Sequence, residues 1–143
     1  MTFLLDVNVL FILHQPRHSD YRLVSRWLEG QGDGRFATCP ITQAGLLRLL
    51  TQGIEGLDRF PMDEARDALQ GLVRHPHHQF WPDEPAYLDA TAPLSRRMQG
   101  HRQVTDAYLL GLAKHHGGKL ATLDKAIRSL AGPELAAQVE LVG

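Results

Sequence analysis

Three aspartates stand where a side chain could reach a crevice. Asp6 follows the apolar run Phe3–Leu5, Asp124 follows the apolar run Leu120–Leu123, and Asp106 comes at the start of a helix-like segment. Sheets of parallel strands bind their ligands at the carboxyl ends of the strands. Carboxylates gathered there repel one another unless a cation compensates, and Mg²⁺ or Mn²⁺ prefers such oxygen ligands. We therefore expect Asp6, Asp106 and Asp124 to form a divalent-metal site.

A site of this kind suits the hydrolysis of phosphodiester bonds. The metal lowers the pKa of a bound water, orients that water and neutralises charge on the phosphate oxygens. An aspartyl-phosphate phosphatase would need a second acid two residues after Asp6, but Asn8 stands at that position. Each aspartate taken singly is also a common cap or turn residue. The pattern alone therefore leaves ordinary capping open beside metal chemistry.

Strand and helix signals alternate around these acids. Short apolar runs predict strands at residues 3–7, 36–39, 79–81, 120–123 and 139–142. Apolar residues at helical spacing predict helices after residue 8, at 21–29, from 40 to about 53, at 62–73, at 86–98 with a break near Pro93, and after Thr105 as N-cap. Alternation of this kind predicts one three-layer α/β/α domain over residues 1–143, with a central, mostly parallel sheet of four to five strands.

The composition excludes several classes of protein. Hydrophobic residues make up 43% of the 143 residues, enough for a core, and 15 Lys+Arg against 16 Asp+Glu create no global basic field. No run approaches the ~20 apolar residues of a membrane helix. The opening MTFLLDVNVLFIL contains Asp6 and Asn8 and lacks the basic start of a signal peptide. With Cys39 as the single cysteine, we expect a soluble, cytoplasmic protein without an intramolecular disulfide.

The sequence segments around the acids, taken together, resemble a known protein family over essentially the whole chain. The segments LLDVNVLFIL, ITQAGLLRLL, FWPD, VTDAYLLGLA and GGKLATLD, in this order, together resemble the PIN-domain ribonucleases, specifically the VapC-type toxins of bacterial toxin–antitoxin modules. The resemblance implies a three-layer α/β fold and RNA cleavage with Mg²⁺ or Mn²⁺. It also implies inhibition by a cognate VapB-type antitoxin, and a homodimer.

The resemblance also implies roles for individual residues. Asp6, Asp106 and Asp124 match catalytic acids of the family, and Asn8 and Thr122 match the polar residues that accompany the first and last acids. Both are able to orient ligands or waters through hydrogen bonds.

One position departs from the family pattern. Many members carry a glutamate in the register of Gly45. Only Gln43 is polar nearby; it keeps an acceptor oxygen without the charge, and we expect it to support the site. One carboxylate fewer predicts weaker metal binding, with a need for high Mg²⁺ or a preference for Mn²⁺. It also leaves open a second interpretation, a catalytically weakened PIN-like module that only binds RNA or a partner protein.

Local basic residues are the candidates for contact with RNA phosphates, with Arg48 and Arg102 first. For the antitoxin, we expect a C-terminal segment that lies in the acidic groove and places an arginine near the acids. The histidine runs at 75–78 and 115–116 lack the cysteine pairs or the HExxH spacing of zinc sites, so we interpret them as surface or turn residues.

Overall fold

Five parallel strands form the centre of the fold in the computed structural model, which describes all residues 1–143. The spatial order of the strands is β3-β2-β1-β4-β5. This arrangement confirms the predicted α/β class with a parallel sheet of four to five strands. The strands are β1 Thr2–Leu5, β2 Arg35–Thr38, β3 His78–Phe80, β4 Lys119–Thr122 and β5 Val139–Leu141.

Helices cover both faces of the sheet, because the central strands bury alternate side chains on opposite faces. In β1, Phe3 and Leu5 pack into one apolar cluster, with the first four helices, while Leu4 packs into the cluster on the other face. The helices are α1 Val7–Ile12, α2 Tyr21–Glu29, α3 Pro40–Gln52, α4 Met62–Val73, α5 Tyr87–Thr91, α6 Val104–His115 and α7 Ile127–Leu135, with 3₁₀ turns at Ala92–Leu94, His101–Gln103 and Ala136–Gln138.

The sheet topology brings the ends of β1 and β4 together. The two strands pair in parallel with Leu5 opposite Ala121, and the Asp6 amide donates to the Ala121 carbonyl (2.9 Å). From β1 the chain moves through β2 to β3 on one side and then crosses to β4 on the other. The strand order therefore reverses between β1 and β4, and crevices of parallel sheets form at such a switch point.

Two predicted boundaries near the acids differ from the structure, the helix predicted at 86–98 is shortened to α5, and α7 was not predicted. The strand β1 ends at Leu5 rather than at residue 7, because Asp6 is the N-cap of α1 and its Oδ1 accepts from the Val7 amide (2.7 Å). Thr105 is not an N-cap: α6 begins at Val104, with Gln103 at the cap, since a 3₁₀ turn runs directly into the helix. The predicted break near Pro93 is confirmed by the 3₁₀ turn that follows α5. None of the helices combines the length and the apolar character needed to cross a bilayer.

Candidate active site

Asp6 and Thr122 form the buried centre of the site, at the adjacent ends of β1 and β4. The Thr122 hydroxyl donates to Asp6 Oδ2 (2.7 Å) and accepts from the Asp124 amide (3.1 Å). Burial raises the pKa of Asp6, the bonds from Thr122 and Val7 oppose that rise, and the charge of Asp124 adds to it. One hydroxyl therefore orients the first acid and the backbone of the last.

Asn8 lies in the first turn of α1 and ties that helix to the end of β4. Its Nδ2 donates to Thr122 Oγ1 (3.3 Å), and its Oδ1 accepts from the Leu123 amide (3.4 Å). Asp124 is exposed, and its Oδ1 accepts from the Ala126 amide (2.9 Å), which closes the turn into α7. The structure thus places both predicted accompanying residues, Asn8 and Thr122, in one network with two of the acids.

Asp106 lies in the first turn of α6 and is half-buried. Burial, followed by the charges of Asp6 and Asp124, raises its pKa to about 6. No ion pair of the chain involves any of these three aspartates. Asp6 and Asp124 are therefore close enough to Asp106 to influence its protonation, and no basic side chain of the protein neutralises the three acids.

Asp106 belongs to the lining of two cavities, which together we call the acidic cleft. The first, about 590 Å³, contains Asp6 and Asp106 and is bordered by Arg48; its lining is Asp6, Val7, Pro40, Ile41, Ala44, Gly45, Arg48, Leu49, Thr105 and Asp106. The second, about 490 Å³, contains Asp106 and Asp124 and is bordered by Arg102; its lining is Gln99, Gly100, His101, Arg102, Gln103, Asp106, Asp124, Ala126, Ile127 and Leu130. The two arginines predicted to bind RNA thus stand in separate walls of one cleft.

The donor set fits a hard divalent cation bound through few protein ligands. No three His, Cys, Asp or Glu side chains are close enough to one another to form a ready-made coordination shell. Mg²⁺ is usually bound through one or two carboxylates, with waters at the remaining positions. The raised pKa values of Asp6 and Asp106 have the sign expected of carboxylates that a cation would stabilise. That all three acids bind one ion stays a prediction.

Gln43 does not line either cavity, in contrast to its predicted supporting role. Its Nε2 donates to Thr38 Oγ1 (3.0 Å), which directs the amide group toward the end of β2. Gly45 does line the cleft, but a Cβ there would lie 2.5 Å from Val7 Cγ2. The position where the resemblance places a further acid is therefore occupied by a close contact between α3 and the first residue of α1.

Apart from Arg102, the wall of the cavity that contains Asp124 was not predicted from the sequence. Gln99, Gly100 and Gln103 line the second cavity, yet they lie in an irregular segment without periodicity or a motif. Gly45 carried a usable signal, since a glycine inside a helical pattern often marks a close approach. A close contact at this glycine could have been suspected from that signal.

The fold and the site together define a class of protein: a parallel α/β/α sheet with acids gathered at its switch point. The family model for the PIN domain matches residues 3–133, and the chain belongs to this family. Among its curated relatives, Ribonuclease VapC29 of Mycobacterium tuberculosis is 39% identical over 132 residues, 92% of each chain. Ribonuclease VapC44 of the same organism is 36% identical over 137 residues, 93% of each chain. The VapC-type resemblance is confirmed.

Solved structures share the fold at lower identity. The crystal structure of VapBC2 from Rickettsia felis bound to a promoter DNA fragment matches with a TM-score of 0.67, at 13% identity and 100% coverage of both chains. FitAcB from Neisseria gonorrhoeae matches with a TM-score of 0.59, at 20% identity, over 99% of this chain and 96% of that chain. At these identities the two structures support the fold alone.

Proposed function

We propose that this protein is a metal-dependent endoribonuclease, the toxin of a VapBC-type toxin–antitoxin module. One observation supports this above the others: Asp6, Asp106 and Asp124 line two cavities that share Asp106, and none of the three has a cationic partner within the chain. Relatives at 39% and 36% identity that are named ribonucleases support the reaction class. We propose Mg²⁺ or Mn²⁺ as the cofactor, since hard cations prefer carboxylate and water oxygens.

When bound, the metal would activate a water and neutralise charge on the scissile phosphate. The residues of the chain prepare the site for that chemistry. Thr122 holds the Asp6 carboxylate through a 2.7 Å hydrogen bond, so one lone pair of Oδ2 is fixed and Asp6 cannot rotate freely. Asp106, with a pKa of about 6, is mostly ionised at neutral pH and is the acid that both cavities share. Asp124 is held at the cleft by the Thr122 hydroxyl and the turn at Ala126.

The substrate strand would run along the acidic cleft between its two basic borders. Arg48 and Arg102 are exposed and border the first and the second cavity, respectively. A phosphate beside the scissile bond would contact the Arg48 guanidinium, and Arg102 would contact the RNA at the other border, while the acids hold the metal between them. Each such contact contributes about 0.7 to the salt slope of single-strand binding. The overall charge of −1 makes these local contacts the source of RNA affinity.

The antitoxin partner that we propose is inferred from the charge of the same acidic cleft. An antitoxin segment with an arginine would complement Asp6, Asp106 and Asp124, which have no basic partner in the free protein. The solved relatives named VapBC2 and FitAcB motivate this partner. We further propose a homodimer and a cytoplasmic location, where Cys39, buried and free, would stay reduced.

A second candidate function is a PIN-like module that binds RNA or protein without cleaving it. Gly45 favours it, because the cleft has no glutamate there and the close contact with Val7 leaves no room for one. The retention of three acids at one cleft favours the enzyme instead.

An RNA cleavage assay with Mg²⁺ or Mn²⁺ separates the two functions. We expect cleavage by the wild type and a loss of about a hundredfold or more for Asp6→Asn, Asp106→Asn and Asp124→Asn. Asp67→Asn, an exposed acid on α4, is the matched control and should cleave as the wild type does. RNA binding without cleavage by the wild type would favour the module, and equal cleavage by all five proteins would indicate a contaminating ribonuclease.

A further inference from the structure

The second cavity of the acidic cleft is larger than a metal site requires. It occupies about 490 Å³ between the segment 99–103 and the start of α7, and only two of its ten lining residues are acids. This volume is in the range of pockets that take small organic ligands. Its lining combines three apolar residues at the start of α7, Ala126, Ile127 and Leu130, with polar residues of the segment 99–103, which we call the polar wall. Flat aromatic ligands with polar edges suit such a combination.

Arg97 links the two walls of this cavity. Its Nε donates to the Leu130 carbonyl (3.0 Å) and its Nη2 to the Ala131 carbonyl (3.2 Å), and it also pairs with Glu134. The segment 97–103 is thereby fastened to α7 on the far side of the opening.

Residues of the polar wall form hydrogen bonds with one another. Gln103 Oε1 accepts from the Gln99 amide, and the Gln103 amide donates to the Gly100 carbonyl (3.1 Å). These bonds occupy the acceptor oxygen of the Gln103 side chain and leave its NH₂ group as a donor. Arg102 beside it is exposed and takes part in no ion pair. Arg102 and the Gln103 NH₂ group are thus available on this wall as hydrogen-bond donors.

We propose that this cavity is a nucleobase pocket that receives a guanine of the RNA substrate next to the scissile phosphate. The inference rests on the proposed ribonuclease function and adds its base preference. Guanine presents two acceptors, O6 and N7, on one edge, and arginine meets them with two parallel N–H groups. Adenine replaces O6 by an amino group, which would face the donors of Arg102 and Gln103. Single-stranded RNA bases are commonly recognised in this way, on an apolar surface with hydrogen bonds to one edge.

The position of the pocket agrees with this role. Asp106 and Asp124 belong to its lining, so a base inside it would have its own phosphate beside the acids. Ile127 and Leu130 are buried core residues of α7, so the exposed Ala126 is the apolar lining residue most open to one face of the base. An antitoxin side chain is the competing occupant, and the experiment below distinguishes the two.

Binding is measured first, in EDTA, so that metal-dependent cleavage cannot proceed. The probes are fluorescein-labelled, uridine-rich short RNAs with one central G, A or C, and an all-U reference, followed by fluorescence anisotropy. We expect the wild type to bind the G-containing RNA about tenfold more tightly than the A-containing one. Arg102→Lys keeps the charge but loses the two-pronged donor group, and should bring this ratio close to one. Arg96→Lys, an exposed arginine outside the cavity, is the matched control and should leave the ratio unchanged.

A second variant tests the cavity itself. Ala126 is exposed at the cavity wall, so Ala126→Trp should fill the space without disturbing the core, and should lower affinity for the G-containing RNA alone. Equal wild-type affinity for all four RNAs would overturn the proposal, as would a guanine preference that both variants retain. Variants that weaken the complex with the antitoxin but keep the guanine preference would also overturn it, in favour of an antitoxin pocket.

RNA cleavage assays of the same proteins with Mn²⁺ distinguish the proposed pocket from the proposed ribonuclease function. A guanine preference in binding without any cleavage would support the pocket and contradict the ribonuclease function. Cleavage that ignores the neighbouring base would support the ribonuclease function and overturn the pocket.

Discussion

A methyl group at position 45 should destabilise the protein by forcing α3 away from α1. A Cβ built on Gly45 lies 2.5 Å from Val7 Cγ2 and 3.2 Å from Val7 Cγ1. Carbon atoms in favourable contact are about 3.5–4.0 Å apart, so the helices would have to separate by roughly 1 Å. Overpacking of this size costs about 1–3 kcal/mol, and the better helix propensity of alanine offsets about 1 kcal/mol of it.

We expect Gly45→Ala to lose up to about 2 kcal/mol of unfolding free energy, measured by urea denaturation. Gly71→Ala is the matched control, because Gly71 lies in α4, where an added Cβ would have no atom within 4 Å, and it should gain about 0.5–1 kcal/mol. Val7→Ala combined with Gly45→Ala should recover most of the loss, with a coupling energy of about 1 kcal/mol or more. If Gly45→Ala stabilised the protein as much as Gly71→Ala does, the close-contact argument would be refuted.

The same contact determines how an acid can be restored to the cleft. Gly45→Glu alone should be unstable, whereas Gly45→Glu with Val7→Ala has space for the side chain at the wall of the first cavity. The double variant should bind Mn²⁺ more tightly than Val7→Ala does in calorimetry, because ligand charge is a main term in binding a hard cation. A tight two-ion site in the wild type at low metal concentration would contradict the predicted effect of Gly45.

Two further predictions concern the protonation and the geometry of the acids. Metal binding should release about half a proton from Asp106 at pH 6, and metal affinity should fall about tenfold per pH unit below the Asp106 pKa of about 6, because only the ionised carboxylate binds a cation. Calorimetry in buffers of different ionisation enthalpy measures the proton release. A metal affinity that does not change between about pH 5 and 7 would contradict this prediction. Thr122→Val keeps the side-chain shape but removes the hydroxyl that bonds to Asp6 and to the Asp124 amide, so kcat for RNA cleavage should fall about tenfold or more. Thr122→Ser keeps the hydroxyl and should retain most of the wild-type kcat. A valine variant as active as the wild type would show that the hydroxyl does not position the acids.

The fold was largely predictable because it depends on patterns within short segments. All five strands and the break at Pro93 followed from apolar runs and from proline chemistry. The ends of elements were less predictable, since they depend on caps. Asp6 ends β1 because its carboxylate accepts from the Val7 amide, and no propensity distinguishes that use of an aspartate from a turn.

The site was predictable only where parallel strand pairing determines it. Asp6 and Asp124 follow buried strands, so adjacency of β1 and β4 brings them to the same edge. The wall at 99–103 was not predictable, because its shape depends on the bonds of Arg97 to α7, 33 and 34 positions away along the chain. The contact of Gln43 was unpredictable for a related reason: its amide donates to Thr38, a neighbour that only the fold provides.

The absence of a fourth acid at the cleft is linked to the close packing of α1 on α3, because both depend on Gly45. With three carboxylates, Asp106 has a pKa of about 6 and is mostly ionised at neutral pH without a metal. A fourth charge in the first cavity would raise the pKa values of Asp6 and Asp106 further, because like charges in a partly buried cleft disfavour ionisation. Gly45 instead brings α3 against Val7, the residue whose amide donates to Asp6. The chain thus replaces charge that would strengthen metal binding with packing that fixes the position of the first acid.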